Sequence, residues 1–251
     1  MAIITKLHQQ RCRELERQKR EGETQAEESV VIRSAGIIPN ANEHTTLLVA
    51  LEQDLDRLST RKKVEEKIAL KRDELLPKYV PKVMAYLESG ALHSNPLLVW
   101  CAIWAIDADD LEVALPLCDA AIEQQQNAPA HFKRDLPTYF TEAISDWAER
   151  QYKAGQSASP YIDEVCQRVT SNTWPVAQVI ARGKPFRIAG MIAEQHGELP
   201  EALAFYRQAQ EENERAGVKT RLDKLAAKLG ENAKPEGNAE PADSDAADAA
   251  E

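Results

Sequence analysis

Three aspartates stand close together near the middle of the 251-residue chain, at Asp107, Asp109 and Asp110. Carboxylates that converge on one point, with a lysine nearby, are the ligands with which a two-metal nuclease holds magnesium. The same residues directly precede an apolar helical pattern that begins at Leu111, where Asp109 or Asp110 would accept backbone N–H groups as a helix cap. We favour the cap. The sequence therefore does not identify catalytic residues, and these three aspartates are the candidates if the chain has any. A magnesium cofactor is expected only if the chain itself cuts DNA.

Basic side chains are concentrated in two segments of a chain whose formal net charge is -10. In the first segment Lys63, Lys67 and Lys71 are spaced by four residues, which stacks them along one helix face. The cations of the first segment are Arg57, Arg61, Lys62, Lys63, Lys67, Lys71 and Arg72, and those of the second are Arg11, Arg13, Arg17, Lys19 and Arg20. Because a row of positive side chains can neutralise phosphates without sequence preference, both segments predict nucleic-acid contact. The alternative is that these charges only solvate a helix face.

The overall composition favours helices. Gly is scarce, at 10 residues, and Ala, Leu, Glu, Gln, Lys and Arg are abundant. None of the four cysteines lies in a C-x-x-C pair, which is typical of reduced thiols in a cytosolic protein. The first residues are too polar for a signal peptide, and no apolar run approaches the ~18 residues of a membrane span. We therefore expect no membrane contact.

The motifs of common nucleotide and metal sites are missing from the sequence. The Gly-Lys pair at Gly183 has no upstream glycine and no following Ser or Thr, so it does not form a phosphate-binding loop. The five histidines lie far apart without ligand spacing, and no nucleophile–base triad has a local signature. The sequence thus argues against an ATPase of this type and predicts neither a metal site nor another cofactor.

The elements that position the basic segment are predicted to be helical. One long helix should start near Asn42 or Thr45 and end before Pro77. An apolar seam with 3–4–3 spacing runs along its first half, at Leu48, Leu51, Leu55 and Leu58. After this seam the apolar positions resume in a shifted phase. Because a helix of this length needs a partner along its stripe, we expect the seam to join a sister helix or a neighbouring subunit of a homo-oligomer.

Four parts of the chain differ in composition. Residues 1–29 are predicted to be a basic and polar flexible arm, and residues 30–77 a linker and long helix for oligomerisation and DNA contact. Residues 78–230 should form an α-helical domain. Residues 231–251 contain seven carboxylates and one lysine, and this low-complexity acidic tail is expected to be disordered.

One helix pattern occurs twice in the helical domain, as DDLEVALPLCDAAIEQ at 109–124 and as GELPEALAFYRQAQEE at 197–212. Ala114 and Ala202 would let two helices approach closely. Each copy is predicted to be the second helix of a hairpin similar to a tetratricopeptide repeat, and such hairpins serve packing and protein contact. The predicted fold is therefore all-α, with a long N-terminal coiled-coil-like helix, a compact domain of tetratricopeptide-like hairpins and disordered termini.

Three stretches in this order resemble a known family. They are KRDELLPKYVPKVMAYLESG at 71–90, FKRDLPTYFTEAISDWAERQYKAGQS at 132–157 and GELPEALAFYRQAQEENERAGVKTRLDKLAAKLG at 197–230. Together they resemble the small terminase subunit of contractile-tailed temperate phages, in the branch described as the terminase endonuclease subunit. The resemblance covers roughly residues 45–230. One departure is the acidic C-terminal segment, since relatives in this branch can end in basic tails.

The resemblance implies a role in DNA packaging. Small terminase subunits bind the packaging site on concatemeric double-stranded phage DNA, commonly as ring-shaped homo-oligomers, and hand it to a large subunit that carries the ATPase. In this branch the small subunit is credited with directing or making the cut. The resemblance also implies action in the cytoplasm of the bacterial host. Two other hypotheses remain, namely a helical-repeat scaffold for protein contact without nucleic-acid binding, and a metal-dependent nuclease in its own right.

Overall fold

Helices make up the regular structure of residues 41–230, the part of the chain that the computed structural model describes. They are α1 (Ala41–Thr60), α2 (Val64–Leu70), a π turn (Lys71–Leu75), α3 (Leu76–Glu88), α4 (Pro96–Asp107), α5 (Leu111–Glu123), α6 (Leu136–Lys153), α7 (Tyr161–Thr170), α8 (Val179–His196), α9 (Leu199–Glu212) and α10 (Lys219–Lys228). No strand occurs among these residues, so the all-α prediction is confirmed. All of these helices belong to one compact unit. The predicted arm, residues 1–29, and the predicted acidic tail, residues 231–251, lie outside the described residues.

The predicted long helix is interrupted, so the expectation of one continuous element up to Pro77 was wrong. Helix α1 ends at Thr60, where the hydroxyl groups of Ser59 and Thr60 each donate to a backbone carbonyl of the last turn at 2.7 Å. Such local bonds compete with the next helical turn. Three residues outside regular structure, 61–63, follow at once. The shifted phase of the apolar residues after Leu58 was the sequence signal of this break.

The interruption lets the chain fold back, so that α1 lies against α3 as a hairpin. The carboxylate of Asp54 accepts hydrogen bonds from Lys78 Nζ at 2.7 Å and from the Tyr79 hydroxyl at 2.8 Å. Nearer the loop, Arg57 donates to Glu74 at 2.6 Å. Burial of the Asp54 carboxyl opposes its ionisation, but the bonds from Lys78 and Tyr79 outweigh burial and lower the pKa of Asp54. These charged contacts hold the loop between α1 and α2 in a defined position.

A π turn joins α2 to α3. The N–H of Leu76 donates to the carbonyl of Lys71, five residues back, and the next residue, Pro77, has no N–H to continue the regular ladder. The wider turn changes the direction of Lys71, which donates to Asp107 at the end of α4 at 2.6 Å. The π turn therefore ties the hairpin to the core helix.

Helix α4 lies at the centre of the core. Nine of its twelve residues are buried, and Trp104 is completely enclosed. A helix that is apolar on all sides must be surrounded by other helices, here mainly α5, α3 and α6. Burial raises the pKa of Cys101 on this helix to about 12, so the thiol is a small core residue and not a nucleophile. None of the described helices has the length and apolar character that crossing a membrane requires.

Both copies of the duplicated pattern form the second helix of a hairpin, α4–α5 and α8–α9, as predicted. Ala114 and Ala202 are fully buried at the helix contacts. In the second hairpin the approach is closer still, because a Cβ atom on Gly190 would lie 2.7 Å from the ring of Tyr206. A relation to tetratricopeptide repeats remains a prediction, since two separate hairpins do not establish a repeat.

Candidate nucleic-acid interface

The tip of the α1–α2 hairpin, residues 61–63, presents the accessible part of the predicted basic segment. Arg61 and Lys62 are exposed and form no ion pair with any described residue. Lys63 lies 3.7 Å from Glu66, but its side chain is 74% exposed, so this pair is weak and screened by solvent. Lys67, half-buried on α2, also lacks an ion-pair partner among residues 41–230. The tip is a short cluster of cations that an external anion can reach.

The other cations of this segment are already engaged. Lys71 donates to Asp107, and its side chain is only 16% exposed. Arg57 bridges Glu74 and Asp54, with N···O distances of 2.6 and 3.8 Å. The remaining member, Arg72, pairs with its neighbour Asp73 at 2.8 Å. Of the seven predicted DNA-binding side chains in this segment, four therefore lie at the tip or close to it. The other three stabilise the fold or pair with a neighbouring residue.

The predicted lysine stripe does not form. Lys63 lies in the loop before α2, Lys67 lies on α2, and Lys71 opens the π turn. Only an uninterrupted α-helix would place residues four apart one above another. The loop and the π turn break that register, which is why Lys71 is turned toward α4.

The three aspartates considered as catalytic candidates each have a structural partner. Asp110 accepts the N–H of Val113 at 3.3 Å as the cap of α5, which confirms the predicted cap. Asp107 pairs with Lys71, and Asp109 pairs with Arg150 at 3.1 Å. Within residues 41–230 no group of three or more His, Cys, Asp or Glu side chains could hold a metal ion. The trio serves the fold in three separate ways.

The leucine seam lies against the same chain. Leu51 and Leu58 are buried, at 3% and 7% exposure, while Leu48 and Leu55 are half-buried and pack on the same core. The seam therefore has a partner within the subunit, and its predicted role in oligomerisation remains a prediction. The basic residues of the second segment, Arg11, Arg13, Arg17, Lys19 and Arg20, lie outside the described residues.

A cleft of about 900 Å³ opens between α7, α8 and α9. Its floor is apolar, with Ile162 and Phe186 among the lining residues, and its rim carries the carboxylates of Asp163, Glu198 and Glu201. No lysine or arginine from the described part of the chain lines it. The cleft is thus unsuited to phosphate and suited to an apolar segment of a protein.

Sequence reasoning missed a second accessible group of cations, at the C-terminal end of the described chain. It consists of Arg215, Lys219, Arg221, Lys224 and Lys228. The signal was present, since the sequence from 215 to 230 contains five cations and only one acid, Asp223. The group lies inside the segment predicted as the α-helical domain, residues 78–230, and not in the acidic tail that follows it.

Comparisons with known proteins agree on one family. The family model described as phage small terminase subunit matches residues 48–177. A probable terminase, endonuclease subunit, of Haemophilus phage HP1 (strain HP1c1) is 29% identical over 222 residues, which cover 84% of this chain and 78% of the relative. The terminase, endonuclease subunit, of Escherichia phage P2 is 28% identical over 204 residues, covering 81% of each protein. No solved structure matches the chain.

Proposed function

This chain belongs to the phage small terminase subunit family, which places it in phage DNA packaging, and from that premise we propose that it binds the packaging site on concatemeric DNA and directs its endonucleolytic cutting together with the large ATPase subunit. The observation that carries DNA contact is the exposed tip of the α1–α2 hairpin. Its side chains Arg61 and Lys62 have no ion-pair partner among the described residues, although the chain as a whole is acidic. Unpaired cations at a protruding turn are free to replace the counterions of a duplex.

Self-association strengthens this contact. One tip provides only a few positive charges, but several tips on one homo-oligomer bind a single duplex with a raised effective concentration. Val49, which is 49% exposed, offers apolar surface on α1 for contact with a second copy. We propose that α1 contributes to the oligomer with this outer face, since Leu51 and Leu58 are occupied within the subunit.

We propose that the α-helical domain, residues 78–230, contacts the large subunit. The relatives from phages HP1 and P2 carry the name of a terminase subunit, which implies a complex. The cleft between α7, α8 and α9 supports it, because an apolar floor with an acidic rim fits an amphipathic segment with basic flanks.

Replacing Ala204 in the cleft by Arg should abolish co-purification with the large subunit and leave DNA affinity unchanged. Retained co-purification would remove the cleft from the proposal.

DNA retardation of the full chain tests the tip directly. Replacing Arg61, Lys62 and Lys67 by Glu should weaken binding to a packaging-site fragment by at least about tenfold, since three phosphate contacts are lost. Native mass should stay the same. A chain that binds no DNA even at low salt would instead support the alternative of a protein-interaction scaffold.

Cutting is the part of the proposal that needs a second protein. Incubation of a packaging-site fragment with magnesium should give no nicks with this chain alone and should give cuts when the large subunit is added. If the chain alone nicks the fragment and the Asp107, Asp109 and Asp110 triple Asn variant does not, the chain is a metal-dependent nuclease in its own right.

A further inference from the structure

The C-terminal helix α10 carries a second group of accessible cations. Lys219, Lys224 and Lys228 are exposed, and so is Arg215 in the turn before the helix. None of these four forms an ion pair with a described residue. In contrast, most cations elsewhere in the described chain have carboxylate partners, among them Arg168, which binds Asp119 through two N–H groups at 2.8 and 2.7 Å.

The helix is held in a fixed position, so its charges form a defined surface. Leu225 and Ala226 are buried against the rest of the domain. Arg221 Nη1 donates to Glu194 at 2.7 Å and to the Tyr206 hydroxyl at 3.1 Å, and Tyr206 donates to the same carboxylate at 2.8 Å. This network uses one cation of the group to anchor α10 to α8 and α9.

Two of the cations without an ion pair, Lys224 and Lys228, lie on one side of the anchored helix, whereas Lys219 lies on the opposite side, one turn before Asp223. Lys224 and Lys228 are four residues apart and stand one above the other, and Arg221 precedes Lys224 by three residues on the same face. At 1.5 Å per residue the three side chains span roughly 10 Å, about the axial length of three phosphates on one strand of a duplex. The acid of this helix, Asp223, lies on the side away from Lys228.

We propose that α10 is a second phosphate-binding surface, which holds the backbone of double-stranded DNA through Lys224 and Lys228, with Arg215 in the turn before the helix. The proposal rests on the proposed function, since it adds a contact for the same DNA. A duplex is favoured over an acidic protein because Lys224 and Lys228 follow one line along α10 and the residues between them expose no more apolar surface than the small side chain of Ala227. Such a line offers positive charge for phosphates without a shaped apolar contact for a protein.

The test measures affinity of the full chain for a short DNA duplex of mixed sequence at several salt concentrations. In the variant Lys224→Glu/Lys228→Glu the affinity should fall at least about tenfold, and the slope of log affinity against log salt should shrink by about two, one for each lost phosphate. The matched control is Lys82→Glu/Lys133→Glu, which changes the net charge equally at two exposed lysines that form no ion pair within residues 41–230. The control should lose less than about threefold.

Equal losses in the two variants would overturn the proposal, because net charge alone would then explain the effect. A second measurement uses poly-glutamate in place of the duplex. If the wild-type chain binds poly-glutamate more tightly than it binds the duplex, and if Lys224→Glu/Lys228→Glu loses that affinity as well, the proposal is overturned and the partner is an acidic protein. The uncharged variant Lys224→Gln/Lys228→Gln should keep the wild-type melting temperature, which excludes loss of the fold as the cause of weaker DNA binding. Wild-type chain without DNA affinity defeats the proposed function itself, whereas wild-type binding with an unaffected α10 variant defeats only this inference.

Discussion

The two basic regions of the described chain, residues 57–72 and 215–228, carry similar local charge but use it differently. In the first, Arg57 pairs within the α1–α2 hairpin, Lys71 ties the hairpin to α4, and Arg72 pairs with its neighbour Asp73. In the second, Arg221 is the one cation with a carboxylate partner among residues 41–230, and the others are exposed. A count of charges along the chain therefore overstates the first region and overlooks the second. Accessible charge depends on where the acids of other helices lie.

The largest effect that separates these roles is expected from Lys71→Glu. The new carboxylate would face Asp107 in a half-buried setting, so the free energy of unfolding should fall by about 2–3 kcal/mol. Chemical denaturation of the full chain measures it. The control Lys62→Glu changes the same charge at the exposed tip and should stay within about 0.5 kcal/mol. Equal destabilisation by both variants would mean that Lys71 is not a structural cation.

A smaller effect is expected at Asp54, whose carboxylate positions the tip. Asp54→Asn should cost about 1–2 kcal/mol, because the hydrogen bonds from Lys78 and Tyr79 weaken. Since the pKa of Asp54 is lowered in the folded chain, its contribution is present above its ordinary value of 3.8 and is lost as pH falls through the lower folded value. Urea denaturation as a function of pH should show this loss in the wild type and not in the variant. An identical pH dependence in both would contradict the assignment.

In the second region the anchor and the free cations should behave differently. Arg221→Ala should lower stability by about 1 kcal/mol, since Glu194 and the Tyr206 hydroxyl lose a donor, whereas Lys224→Ala should be nearly neutral. Thermal melts of the two variants give the comparison. If Lys224→Ala destabilised as much as Arg221→Ala, the lysine would have a structural partner and the surface assigned to DNA would be smaller.

The smallest effect concerns residues 231–251. Their seven carboxylates follow α10 directly in the sequence and should compete with DNA for its lysines at high effective concentration. Removing these residues should tighten DNA binding by about threefold at moderate salt. The gain should vanish in the Lys224→Glu/Lys228→Glu background, and a gain that persists there would place the competition elsewhere.

Much of the fold was predictable from sequence. The absence of strands from the described residues, the helical hairpins at both copies of the duplicated pattern and the cap at Asp110 all depend on local periodicity and local hydrogen bonds. The family resemblance was also visible in three short stretches. The continuous helix up to Pro77 was the main error. The local bonds of Ser59 and Thr60 favour the break, and burial of Leu51 and Leu58 within the same subunit, which local sequence does not specify, adds to it.

The candidate site was predictable in composition and not in geometry. Local sequence determined which residues are helical, which faces are apolar and where charge accumulates, since those properties depend on neighbours within about four positions. Whether a given cation is available for a phosphate was decided by packing. Lys71 meets Asp107 and Arg57 meets Glu74, across 36 and 17 residues of sequence, and Arg221 meets Glu194 across 27. Such pairings arise only when folded helices bring distant side chains within hydrogen-bonding distance, so no charge pattern along the chain can specify them.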